Sequence, residues 1–308
     1  MSVTIDILKN MEINFKQELS KYQKKVNEEL EKYLRKQDCP EKVLNQAMEY
    51  SLMAGGKRLR PILMLDVYQI FKQDYTECMP YAVAMEMIHN FSLIHDDLPG
   101  IDNDDFRHGK QTNHKKFNEA TAILAGDGLL NGAYQVIANN ILKETDAKQQ
   151  KQRILAFKEL ADATDRMIAG EYVDTEFEGK AISSDYLEYM HKNKTGALLR
   201  ACARIGAIMA NAPEEDIEKI TKYAEIIGLT FQIKDDILSV VGDESVLGKP
   251  VGNDEKRGKS TYVTKYGLEQ SQKMLEELTK EAIEIAKAYN EKGEFLKKLA
   301  LYIQTRNK

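Results

Sequence analysis

FKQELSKYQKKVNEELEKY, Phe15 to Tyr33, places apolar side chains at Phe15, Leu19, Tyr22, Val26, Leu30 and Tyr33, at intervals of four, three, four, four and three. Each helical residue turns the chain by about 100°, so these six share one face and the charged residues between them take the other. The spacing predicts an amphipathic helix that ends by Asp38-Cys39-Pro40, where proline and the residue before it disfavour helix. The same period returns at Leu275, Leu278, Ala282, Ile285 and Tyr289. Alternating runs of strand type are scarce, and no Gly/Ser-rich linker or fixed-period repeat divides the chain. The polar stretch from Lys143 to Gln152 reads as a loop between helices. The expectation is all-α: a single large helical domain spanning residues 1–308.

Composition narrows the function. The 308 residues are 43% hydrophobic and 30% charged, as in an ordinary globular protein. A net charge of −5 argues against nonspecific nucleic-acid binding, which needs a basic surface, but leaves room for a small anionic ligand. Cys39, Cys78 and Cys202 are odd in number and form no CxxC, which argues against a disulfide framework or zinc site and suits a reducing cytoplasm. The first residues meet charge too early for a signal peptide, and no uncharged apolar run of about 18 residues predicts a membrane span.

Two acidic clusters end apolar segments. In HDDLPGIDNDDFRHG, His95 to Gly109, the acids are Asp96, Asp97, Asp102, Asp104 and Asp105. Crowded like charges destabilise a bare protein, and a bound cation relieves them. Asp96 and Asp102 are six apart and would diverge on a straight helix; Pro99 and Gly100 can break it and let them converge. Far along the chain, FQIKDDILS, Phe231 to Ser239, repeats the pattern with Asp235 and Asp236, and Asp243 returns roughly to the face of Asp235. Two such pairs on separate helices suit Mg²⁺, a hard ion that takes few protein ligands and shares its sphere with phosphate oxygens. Either pair alone reads better as a solvated helix end. The cations weigh against that: Lys57, Arg58 and Arg60 follow Gly55-Gly56, Arg107 follows the first cluster, and Lys194, Lys249 and Lys259 adjoin small residues. Glycine permits close backbone approach and arginine offers a fork for phosphate oxygens. No GxxxxGK[ST] is present. The ensemble points to metal and one or two diphosphates.

At these residues the chain resembles the trans-isoprenyl diphosphate synthases, most of all the bacterial farnesyl type. The markers are GGKRLRP, SLIHDDLPGIDNDD, ILAGD, KTG, FQIKDDIL and LGKPVGND…GKSTY, in order from about Tyr50 to Tyr262. The resemblance implies a helical fold around a deep central cavity, usually in a homodimer. It implies metal ligation by Asp96, Asp97, Asp102 and Asp235, with Asp236 completing the second motif, and three Mg²⁺ ions gripping an allylic diphosphate. Arg107, Lys194, Thr195, Gln232, Lys249 and Lys259 map onto allylic-substrate contacts, and Gly56, Lys57, Arg60 and His89 onto the isopentenyl diphosphate site. Charge developing on the leaving diphosphate is stabilised by metal and cations, the allylic cation is attacked by the double bond of isopentenyl diphosphate, and a proton is lost. Thr195 and Gln232 offer oxygens near the cation. Phe91, five residues and some 7.5 Å before Asp96 along a helix, with Ser92 beside it, is expected to floor the hydrocarbon tunnel and stop growth at fifteen carbons; core packing is the plainer reading of an aromatic there.

Three positions leave the family pattern. Ser239 stands where an aspartate usually closes the second motif, His108 replaces the second arginine after the first motif and an isopentenyl diphosphate contact, and Glu171 follows Gly170 where glutamine is usual. Rival readings are a geranylgeranyl diphosphate synthase, a class I terpene cyclase, which needs no isopentenyl diphosphate, and a weakly active or non-catalytic subunit of a hetero-oligomer.

Overall fold

The computed structural model describes residues 2–34, 38–180, 182–242 and 260–307, with side chains from Phe15 onward. The described residues are all-α apart from one hairpin of two two-residue strands. Helix α1 spans Ser2–Lys32, and its stripe is inside: Phe15, Leu19, Val26 and Leu30 are buried. Phe15 packs its ring 5.2 Å from Phe295 and 5.4 Å from Tyr302 of the last helix, α13 (Glu294–Thr305). The helix stops earlier than its stripe suggests. Tyr33 and Leu34 bond back three residues, to Leu30 and Glu31, and this tightened turn closes it. Tyr33 consequently lies outside the core.

The next helices are α2 (Lys42–Leu52), α3 (Leu59–Phe71) and α4 (Met79–Asp96). α3 and α4 bury residues on all sides, as central helices do. Strands β1 (Phe106–Arg107) and β2 (Lys110–Gln111) pair antiparallel and lead through α5 (Asn113–Lys116) to α6 (Glu119–Leu142), which lies along α4. The loop expected over Lys143–Gln152 is shorter than that: α7 (Ala147–Glu176) begins within it, because the Asp146 side chain accepts the Gln149 N–H and caps the helix. α8 (Ser184–Lys194) and α9 (Gly196–Met209) meet at Thr195. α10 (Glu214–Val241), α11 (Tyr262–Tyr266) and α12 (Leu268–Lys287) precede α13. The second apolar stripe lies on α12, where Leu275 and Ala282 are buried against the body of the molecule.

α9 packs against α3, α7 and α10, and Lys194, at the end of α8, reaches toward Asp96 at the C-terminal end of α4. One glycine makes this possible. A Cβ on Gly170 of α7 would stand 2.2 Å from the Lys194 backbone nitrogen, so only glycine lets α7 come this close to the α8–α9 junction. No described helix is long and apolar enough to cross a membrane.

Candidate active site

Helix α4 ends at Asp96, as Pro99 and Gly100 led us to expect, and the chain folds back on it. The Asp102 N–H donates to the Asp96 carbonyl at 2.9 Å, the Ile101 and Asn103 N–H groups both donate to the Leu98 carbonyl, and Asn103 takes the left-handed conformation at φ 50°. Asp102 is thereby set beside Asp96 instead of on the opposite side of a helix. Asp97 goes elsewhere. It is buried, and Arg107 Nε donates to both its carboxylate oxygens at 2.8 and 2.9 Å, while Arg107 Nη2 donates to Asp96 at 2.9 Å. Burial pushes the Asp97 carboxyl up to about 6 against the pull of Arg107. The same carboxylates more than offset burial at Arg107, so the guanidinium stays charged. Asp97 therefore carries the two-pronged anchor of Arg107, while Asp96 takes a single bond from it and reaches on toward Lys194.

The second motif divides in the same way. Both oxygens of buried Asp236 are engaged, one by Gln232 Nε2 at 2.8 Å and one by the Tyr262 N–H at 2.7 Å, which fastens α11 to α10. Asp235, 43% exposed along its side chain, pairs with Arg306 at 2.6 Å. Gln232 Oε1 accepts from Thr195 Oγ1 at 3.1 Å, and the neighbouring Lys194 Nζ lies 3.6 Å from Asp96. A line of polar contacts thus runs from Asp96 through the Lys194-Thr195 junction and Gln232 to Asp236. It joins residues 140 positions apart and brings together the first motif, Lys194, Thr195 and the second motif.

The glycine-rich segment supplies a third edge. Gly55 and Gly56 take φ of 110° and 104°, conformations that glycine alone adopts without strain. Lys57 sits 5.7 Å over the Tyr302 ring. Arg60 donates to His89 Nε2 at 3.2 Å, and its own buried Nε has no partner, a donor suited to a phosphate oxygen. Burial and the nearby cations Arg60, Arg107 and Arg58 hold His89 well below the ordinary imidazole range, so its Nε2 accepts. His108 Nε2 lies 3.7 Å from where a Gly56 Cβ would be, which sets this departure from the family pattern at the same edge. Arg58 does not join it: its side chain is buried in an ion pair with Glu86 at 2.6 Å. Lys249, Lys259 and Asp243 lie outside the described residues.

Phe91 is buried one turn below the first motif, its ring 5.0 Å from the His95 ring. Ser92 turns its hydroxyl to the His89 carbonyl at 2.8 Å. The Ser239 hydroxyl donates to the Asp236 carbonyl of its own helix at 3.0 Å, a side-chain bond spent on the backbone. Glu171 reaches Lys194 Nζ at 2.9 Å, and Asp174 does so at 2.6 Å. Sequence reading missed Asp174 and Arg306. The spacing Glu171 to Asp174, three residues on one helix face, was the available signal for the first; nothing local marks Arg306.

Among the described residues no three His, Cys, Asp or Glu side chains form a ready-made metal cluster. The donor set nonetheless fits magnesium: Asp96, Asp102 and Asp235 offer hard carboxylate oxygens, few in number, as Mg²⁺ prefers when phosphate and water complete its sphere.

Known proteins place this geometry. The family model for polyprenyl synthetases matches residues 41–299. The chain is 44% identical over 266 residues to a farnesyl diphosphate synthase of Bacillus subtilis, covering 86% of this chain and 88% of that protein. It is 41% identical over 304 residues to a farnesyl diphosphate synthase of Escherichia coli, covering 96% and 100%. A solved structure of an FPP/GFPP synthase from Zymomonas mobilis superposes with a TM-score of 0.83 at 31% identity, covering 96% of this chain and 100% of that one. With the aspartate motifs, the lysine-threonine junction and the glycine-rich edge all in the expected order and joined in space, the chain belongs to the polyprenyl synthetase family.

Proposed function

We propose that this protein is a short-chain trans-prenyltransferase that condenses isopentenyl diphosphate with dimethylallyl or geranyl diphosphate to give farnesyl diphosphate. The line of contacts from Asp96 through Lys194, Thr195 and Gln232 to Asp236 carries the reading, because it links the two acidic motifs through the lysine-threonine junction. Asp96, Asp102 and Asp235 are the residues that would hold magnesium, with Asp97 and Asp236 fixing Arg107 and Gln232 behind them. When bound there, magnesium, three ions by the resemblance, would supply positive charge to balance a leaving diphosphate. Arg107 and Lys194 add fixed cations to the allylic side. Lys57, Arg60 and His89 hold the isopentenyl diphosphate, with Arg60 Nε and Lys57 donating to its oxygens. Thr195 and Gln232 present oxygens to the allylic cation, and Phe91 limits the length of its tail. The proton lost after condensation passes to the departed diphosphate.

The protein is proposed to act in the cytoplasm as a single-domain protomer of a homodimer. All three cysteines are free thiols. Ile123, Leu124 and Leu142 on α6 and Ile154, Leu155, Ile168 and Tyr172 on α7 are exposed, an apolar face suited to a second copy.

The test is product analysis of the purified protein with Mg²⁺, isopentenyl diphosphate and, separately, dimethylallyl or geranyl diphosphate. A fifteen-carbon diphosphate is expected. A twenty-carbon product keeps the chemistry and removes Phe91 as the stop; no product with either starter rejects the reading. Two variants sharpen it. Phe91→Ala should make longer diphosphates the main product by chromatography, and an unchanged spectrum would reduce Phe91 to core packing. His108→Arg should lower the KM for isopentenyl diphosphate by about three- to tenfold through a charge-assisted bond at the Gly56 edge. An unaltered KM would place that substrate elsewhere.

A further inference from the structure

Lys194 is held by an extra carboxylate. Its Nζ lies 2.9 Å from Glu171 and 2.6 Å from Asp174, both on α7, but 3.6 Å from Asp96 on α4. The first two are hydrogen-bond distances and the third is not. Glu171 and Asp174 are three residues apart and share one helix face. Gly170, immediately before Glu171, is the residue that lets the α7 backbone approach the Lys194 nitrogen, so Glu171 stands close beside the residue it binds. Glu171, Lys194 and Asp174 are all largely buried, where charge interactions are poorly screened. Burial drives the Glu171 carboxyl upward against the pull of Lys194. At Lys194 burial works against the charge, but Asp96, Glu171 and Asp174 more than restore it. Three carboxylates, Asp96, Glu171 and Asp174, thus face a single ammonium, with Glu171 and Asp174 at bonding distance.

We propose that Glu171 is a positioning residue that ties Lys194 back to α7 and thereby weakens the grip of the site on the allylic diphosphate. The inference rests on the reading of Lys194 as a diphosphate contact. Diphosphate oxygens and the Glu171 carboxylate compete for the same N–H donors. A glutamine of the same size keeps an oxygen at that point but gives up the charge that makes the tether strong. Asp174 then remains as a single anionic anchor, enough to keep the ammonium at the α7 edge of the site and too little to hold it there against a diphosphate.

The experiment compares wild type and Glu171→Gln by steady-state kinetics and by calorimetric titration of inorganic diphosphate with magnesium chloride. The expected result is a KM for the allylic diphosphate lowered about five- to tenfold, a KM for isopentenyl diphosphate within twofold of wild type, and inorganic diphosphate bound more tightly in the same ratio as the allylic KM. A purely structural role for Glu171 would move the melting temperature and both KM values together, and would overturn the proposal. So would unchanged or weaker diphosphate binding in Glu171→Gln. The titration needs no turnover, so it separates the two ideas. A wild type that forms no product rejects the function proposed above, while diphosphate binding that tightens in Glu171→Gln and is lost in Lys194→Ala still upholds the tether.

Discussion

Asp96→Ala should lower kcat/KM by at least about 10³-fold, roughly 4 kcal/mol of transition-state stabilisation, without lowering the melting temperature. Asp96 lies between two cations of the site and beside Asp102. Arg107 Nη2 donates to it, Lys194 lies 3.6 Å away, and its carbonyl accepts the bond that turns Asp102 back. That last bond is from the backbone and survives the substitution. Arg107 keeps both its bonds to Asp97, so the local structure has no reason to collapse. The Asp96 charge itself raises the Asp97 carboxyl, and removing it relieves that repulsion. The protein is therefore expected to hold its melting point or gain slightly while activity falls. Steady-state kinetics beside a thermal melt checks both halves. A loss below tenfold would remove Asp96 as a metal ligand, and a melting point lowered by more than about 5 °C would mean that it acts through the fold.

Much of this arrangement was legible in the chain. The four-three periodicity of Phe15 to Leu30 gives α1 and its buried face, and Pro99-Gly100 gives the turn that gathers Asp96 and Asp102. Those features are local, set by the few residues around them. Less legible was which member of each acidic pair faces the site. Asp96 and Asp97 are neighbours with the same charge, and so are Asp235 and Asp236. Only the positions of Arg107 and Tyr262, ten and 26 residues further on, decide that Asp97 and Asp236 are anchors. Arg58 was read with Lys57 and Arg60 as one cationic group for phosphate. Its left-handed backbone, φ 53°, turns it into the core toward Glu86 instead. Arg306 near the C-terminus reaches Asp235 across 71 residues, a pairing made by the packing of α13 against α10 and marked by nothing in its neighbours. The early start of α7 hung on one capping bond at Asp146.

Arg58→Ala should destabilise the protein by about 3–5 kcal/mol, the usual cost of stranding one member of a buried ion pair. The Arg58 side chain is 2% exposed and that of Glu86 4%. Arg58 Nη1 reaches Glu86 Oε1 at 2.6 Å, Nε reaches Asn27 at 3.0 Å, and Nη2 donates to the Leu52 carbonyl at 2.5 Å. One guanidinium therefore ties α1, α2 and α4 to the start of α3. Glu86 Oε2 already lacks a partner, so without Arg58 its remaining support is Asn90, at 3.3 Å from Oε1. The melting temperature should fall by about 6–15 °C. A second variant distinguishes lost attraction from stranded charge. Arg58→Met with Glu86→Leu removes both charges and keeps the volume, and most of the stability should return. If the double variant is as unstable as Arg58→Ala, the guanidinium acts by tying helices together and not by neutralising Glu86. The two cases also differ at the site. Arg60 follows Arg58 by two residues and meets His89 on α4, three residues beyond Glu86. A stable double variant with a raised KM for isopentenyl diphosphate would show that the buried pair, remote from any substrate, aims the arginine that binds it. An unchanged KM in that stable protein would leave the pair with stability alone and give the aiming of Arg60 to the glycine-rich turn.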